Sequence, residues 1–209
     1  MPHAALLGDS IFDNAAYVAE GSPVIEHLRK RLPTDWQATL LARDGAVVEN
    51  VPRQLQAIPD GTSHLVLSAG GNNALESAPL FRSSGADLPA LLHDLADMQR
   101  QFQSEYRQLL RLLAHRISNI VVCTIYDSIP GMTITDRMGL SLFNDIITRE
   151  AILAGFPVLD LRLICDEDRD YSSISPIEPS EIGGSKIARA IALILRSHDF
   201  SLGRTVIYS

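Results

Sequence analysis

Short apolar runs alternate with longer amphipathic stretches along this chain, the pattern of a parallel sheet with helices on both faces. Five runs read as strands: Ala4 to Leu7, Gln37 to Leu41, His64 to Ser68, Asn119 to Thr124 and Pro157 to Leu161. Each is short and mostly apolar, as a strand covered on both sides must be. Between and after them the spacing predicts helices over Val24 to Arg31, Pro52 to Ile58, Leu88 to Ala114, Leu140 to Leu153 and Glu181 to Leu195. In the longest, apolar residues from Leu88 through Met98, Phe102 and Tyr106 to Leu113 recur at spacings of three and four, and the whole stripe is expected to face the core. Ser180 is placed as the N-cap of the last helix, and Gly155 as a C-cap after Ala154. The chain therefore reads as α/β, one domain over residues 1–209, built on a five-stranded parallel sheet.

In an open parallel sheet, functional groups collect just beyond the carboxyl ends of the strands. Three segments meet that condition: Gly8, Asp9 and Ser10 after the first strand, Gly45 after the second, and Gly70 to Asn73 after the third. Gly8 permits a tight turn, and the chain after it can aim backbone amides at charge forming on the Ser10 oxygen. Such residues also dominate ordinary turns. The Gly70 to Asn73 segment adds two glycines, past which a substrate can approach the backbone, and the side-chain amide of Asn72, a donor that brings no titrating charge.

Taken together, Gly8-Asp9-Ser10, Gly45 and Gly70-Gly71-Asn72-Asn73 resemble the first three sequence blocks of the SGNH or GDSL hydrolases. These are esterases, lipases and deacetylases on a three-layer, flavodoxin-like fold. The resemblance runs in order along nearly the whole chain. It implies Ser10 as nucleophile, with the Ser10 amide, the Gly45 amide and the Asn72 side chain around an oxyanion. Asp9, Gly71 and Asn73 are expected beside the substrate, Asn73 standing where the family more often has Asp.

The fourth block departs from the family. An Asp and a His three residues later are expected before a proline and the final helix. Pro179 and the helix from Glu181 match, but Ser175 stands at the Asp position and Glu178 at the His position. Imidazole, with a pKa of about 6.5, exchanges a proton near neutrality and needs an Asp to hold its tautomer. A carboxylate of pKa about 4.3 needs no tautomer control, so losing both residues together is coherent. No other histidine is placed as a substitute: His64, for example, lies at the amino end of its strand.

Composition narrows the partners. Hydrophobic residues make up 46% of the 209 residues and charged residues 21%, and 18 Lys and Arg face 25 Asp and Glu for a net charge of −7. With no basic stripe, nucleic acid lacks its main driving force. The longest apolar runs are too short for a membrane span, and the run from Ala4 to Leu7 is too short for a signal peptide, so the expected compartment is the cytoplasm. Cys123 and Cys165, far apart in apolar surroundings, suit small buried hydrophobes better than a disulfide or a zinc site. No metal or organic cofactor is implied. The acidic run Asp166 to Asp170 reads as a solvated loop, and Asn14 as a cap. The expected function is hydrolysis of a small-molecule carboxylic ester by Ser10, with Glu178 in place of histidine. The alternative is a catalytically silent module of the same fold that binds a ligand or a protein partner. A nucleotide or phosphate binder is weaker, since no phosphate-loop spacing accompanies the glycines.

Overall fold

The computed structural model describes residues 1–82 and 87–209. Its strands are β1 (His3–Gly8), β2 (Gln37–Leu40), β3 (His64–Ser68), β4 (Asn119–Cys123), β5 (Val158–Leu159) and β6 (Ile207–Tyr208). All pair in parallel, in the spatial order β2-β1-β3-β4-β5-β6. Among the described residues the sheet thus has six strands where five were expected. The added strand is two residues long, and the Val206-Ile207-Tyr208 run that carries it is too short to read as a strand from the sequence. Its place depends on the chain returning alongside β5, where the Val158 amide donates to the Val206 carbonyl at 2.9 Å.

The helices are α1 (Val24–Arg31), α2 (Val51–Gln54), α3 (Gly71–Phe81), α4 (Leu88–Ala114), α5 (Ile134–Ala154) and α6 (Glu181–Ser197). Alternation along the strands divides the core in two. Ala4 and Leu6 of β1, Val66 of β3 and Val121 of β4 pack with Leu28 of α1 and Ile187 of α6. Ala5 and Leu7, with Leu65, Leu67, Ile120 and Val122, pack with α4 and α5 on the opposite face. Burial on both faces is why the strands carry so few polar positions.

Three helical expectations needed correction. Only the second half of α4 is core: Phe102, Tyr106, Leu109, Leu110 and Leu113 are buried, whereas Leu88 and Leu92 are exposed. A stripe at helical spacing shows that a face is apolar, not that the sheet reaches its full length. Helix α5 starts at Ile134, ahead of the predicted Leu140, because Thr133 and Asp136 form a capping box: the Asp136 amide donates to Thr133 Oγ1 at 3.1 Å. Helix α3 falls where the sequence pattern predicts no helix. Its start looks like loop sequence and it contains Pro79, yet it packs against α5. Ser180 and Gly155 cap as expected, with the Gly183 amide bonding Ser180 Oγ at 3.2 Å and Gly155 left-handed at φ 72°.

The strand order reverses between β1 and β3, because the chain leaves β1 for the edge strand β2 and then crosses back. That switch point opens a crevice at the carboxyl ends of these two strands. Gly8 pairs with Ser68 at the rim, so Ser10 and Gly70 lie two residues beyond matched positions.

Candidate active site

The turn that carries Ser10 is set by close packing of β1 on β3. Gly8 has φ +123°, and a Cβ there would lie 1.6 Å from the Ser68 carbonyl oxygen, so no other residue fits. The Asp9 amide donates to that carbonyl at 3.1 Å, and the Asp9 carbonyl accepts from the amides of Phe12 (3.2 Å) and Asp13 (3.1 Å). A side chain that sequence reasoning missed completes the turn. Buried Gln54 of α2 accepts the Gly8 amide on Oε1 and donates Nε2 to the Gly8 carbonyl, both at 2.8 Å. Asn144 of α5 does the same for Ile125 beyond β4, again with two bonds of 2.8 Å.

Glu178 reaches the same rim from a distant part of the chain. Its segment is tied down by a bridge between Tyr171 and Pro179, by the Ser172 amide donating to the Glu178 carbonyl at 2.8 Å, and by the Tyr126 hydroxyl donating to the Ile177 carbonyl at 2.7 Å. Asn14, fully buried, donates Nδ2 to the Pro179 carbonyl at 3.1 Å and accepts the Val24 amide at 3.0 Å. Its side chain thus ties the Ser10 turn to the Glu178 segment and at the same time satisfies the first amide of α1. Ser175, at the position of the family's Asp, contributes its backbone: its carbonyl accepts the Glu178 amide at 3.0 Å.

Asp9, Ser10, Gly71, Asn72 and Glu178 line one cavity of about 250 Å³. Gly45 and Asn73 are not among its lining residues. Gly45 occupies an exposed turn at φ 74°, and Asn73 braces the chain after it, accepting the Val48 amide at 3.1 Å and donating to Glu49 at 3.3 Å. Asn72 Nδ2 donates to the Ala46 carbonyl at 2.9 Å, which leaves one of its two N–H bonds for a substrate. None of the cavity residues is a histidine. His64 instead packs between Trp36 and Phe200, and His3 bonds Thr39 at 2.8 Å.

Of the three carboxyl groups that line the cavity, Asp9 and Glu178 hold protons unusually well, whereas the Arg82 hydrogen bond holds Asp136 below the usual range. Burial pushes Glu178 up to about 7, against the neighbouring Ser10 hydroxyl, which lowers it, and with Asp44 adding repulsion. Its Oε2 has no hydrogen-bond partner among the described residues. Burial likewise pushes Asp9 up to about 7; the Ile11 amide, 3.2 Å from Oδ1, opposes the shift and the Glu178 charge adds to it. A carboxyl poised near neutral pH against a hydroxyl can exchange that hydroxyl's proton in both directions. Elsewhere, Asp170 of the acidic run is fully buried and bonded to Lys186 at 2.8 Å, so that residue is structural and not solvated. Cys123 and Cys165 are buried and unpaired. No helix among the described residues is long and apolar enough to cross a membrane.

The sheet order and the site at its switch point make this an SGNH hydrolase-like fold. Solved structures of the same architecture include an extracellular lipase from Streptomyces rimosus, with 16% identity, 94% of this chain and 100% of that one covered, and a TM-score of 0.67. A member of the lipolytic G-D-S-L family from Veillonella parvula aligns at 15% identity over 94% and 100% of the two chains, TM-score 0.68. The acetylxylan esterase Axe2 from Geobacillus stearothermophilus aligns at 13% identity over 95% of each chain, TM-score 0.65. No family model matches the sequence, and comparison with curated proteins gave no match.

Proposed function

We propose that this chain is a serine hydrolase of carboxylic esters in which Glu178 does the work of the missing histidine. The observation that carries the reading is the Glu178 carboxyl, buried beside the Ser10 hydroxyl and raised to about 7, in a cavity lined by no histidine. Ionised Glu178 takes the Ser10 proton as Oγ bonds to the ester carbonyl carbon. Charge then gathers on the carbonyl oxygen, where the free N–H of Asn72 and the Ser10 amide stabilise it. The C–O bond to the alcohol breaks as Glu178 returns the proton to the departing oxygen. Water attacks the acyl-serine in the second half, giving its proton to Glu178, which passes it back to Ser10 as the acid leaves. Gly45, outside the cavity, is assigned no part in this scheme.

The test is turnover of p-nitrophenyl esters by the wild-type protein, Ser10→Ala and Glu178→Gln. Both variants are expected to lose about 100-fold or more, the scale of a general base. Turnover that survives Ser10→Ala would sink the reading. The silent binding module draws support from the unpartnered Glu178 Oε2, which a donor on a ligand could satisfy. Ligand binding without Ser10-dependent turnover would favour it.

A further inference from the structure

Away from Ser10 the cavity becomes apolar. One wall is the face of α3 carrying Leu75, Ala78 and Phe81; the other is formed by Ile129, Met132 and Leu140. Arg82 and Asp136, which also line the cavity, pair at 2.9 Å.

The direction of an ester in this space follows from two residues. Asn72 stands in the first turn of α3, so an acyl group whose carbonyl is held there continues along Leu75, Ala78 and Phe81 of the same helix. Glu178, which must protonate the alcohol, comes from a segment whose Pro176 and Ile177 are exposed at the cavity's lining. The acyl chain therefore runs along α3, and the alcohol leaves past Pro176 and Ile177.

One residue sets how far the chain can run. Asp136 and Leu140 of α5 line the cavity, but Gly139 between them is covered by the Phe81 ring. A Cβ on Gly139 would lie 2.7, 2.8 and 2.9 Å from three atoms of that ring. The missing side chain is what lets Phe81 lie against α5 and not across the cavity.

Building on the hydrolase reading above, we propose that the substrates are esters of medium-length aliphatic acids, and that Gly139, through Phe81, sets the accepted acyl length. The experiment compares kcat/KM for p-nitrophenyl acetate, butyrate, octanoate, laurate and palmitate in the wild type, Gly139→Ala and Phe81→Ala. In the wild type each buried methylene is expected to raise kcat/KM by up to about fourfold, with octanoate the best substrate and palmitate poor. Gly139→Ala lowers the octanoate-to-acetate ratio at least about tenfold by pushing the ring into the acyl path, whereas Phe81→Ala moves the optimum to laurate. A wild-type optimum at acetate, or an unchanged profile in both variants, overturns the proposal. If no ester gives Ser10-dependent turnover, the hydrolase reading fails by itself, and calorimetry with octanoate decides the pocket. Binding weakened by Gly139→Ala sustains the acyl site, and absence of binding overturns it.

Discussion

Gln54 holds both backbone groups of Gly8, accepting the amide and donating to the carbonyl at 2.8 Å each, two residues before Ser10. Because Gln54 is buried, a variant such as Gln54→Met takes the side-chain partner from the Gly8 amide, while the Gly8 carbonyl keeps the Arg43 amide at 3.0 Å. An unpaired buried group costs about 1–3 kcal/mol, and that is the expected loss. Urea denaturation should show that loss as a lower midpoint, with ester turnover falling in parallel.

Glu178 sets the pH dependence of turnover. Activity needs the ionised carboxyl, so kcat/KM is expected to rise with pH through a midpoint near 7, where burial has moved this group. Glu178→Gln keeps the shape, cannot take a proton, and should remove this limb together with about 100-fold or more of the rate. Glu178→His alone restores activity less well than Glu178→His with Ser175→Asp, since only the pair supplies an orienting carboxylate. Rate–pH profiles of the three variants check this.

The same two carboxyls oppose folding above neutrality. Asp9 and Glu178 have folded pKa values raised to about 7, so the folded chain binds more protons than the unfolded one between about pH 4 and 7. Their contribution is fully present below the unfolded values and is lost as pH rises through 7. His3, His27, His64 and His198, lowered by burial, act in the opposite sense near pH 6.5. The clean measurement is therefore a difference. Asp9→Asn with Glu178→Gln should gain stability over wild type as pH goes from 5 to 8, on the order of a few kcal/mol, since each carboxyl changes stability by about 1.4 kcal/mol per pH unit below its folded value. Calorimetric scans across that range would read it.

Asn72→Ala should lower kcat by about 100-fold to 1000-fold with a smaller change in KM, as removal of an oxyanion donor does. Because Asn72 also holds the Ala46 carbonyl, circular dichroism of the variant should accompany the kinetics.

Cys123 and Cys165 should be inert to a thiol reagent in the native protein and react only in denaturant. Burial pushes Cys165 up to about 12 and Cys123 higher still, and both are fully covered. Rapid labelling of native protein would contradict the packing.

Local pattern was enough for the elements that use it. Strands buried on both faces must be apolar, so β1, β3 and β4 were legible in the sequence, and Gly8 and Gly70 announced turns at a sheet rim. The Gly8-Asp9-Ser10 and Gly70 to Asn73 segments could be placed on one edge because both directly follow strands. Helix α3 and strand β6 could not, since their sequences are locally ambiguous and packing against α5 and pairing with β5 decided them.

Distance along the chain limited the rest. That Glu178 stands beside Ser10 depends on Tyr126, Asn14 and Tyr171 pinning its segment, contacts between residues far apart in sequence. Gln54 and Asn144 look like ordinary polar helix residues until the fold brings each to a strand end. The residue types that could do chemistry were determined by the sequence alone. Tertiary structure decided which of them share a cavity, left Gly45 and Asn73 outside it, and raised two carboxyls to about 7, because burial belongs to the packed molecule and not to any local stretch.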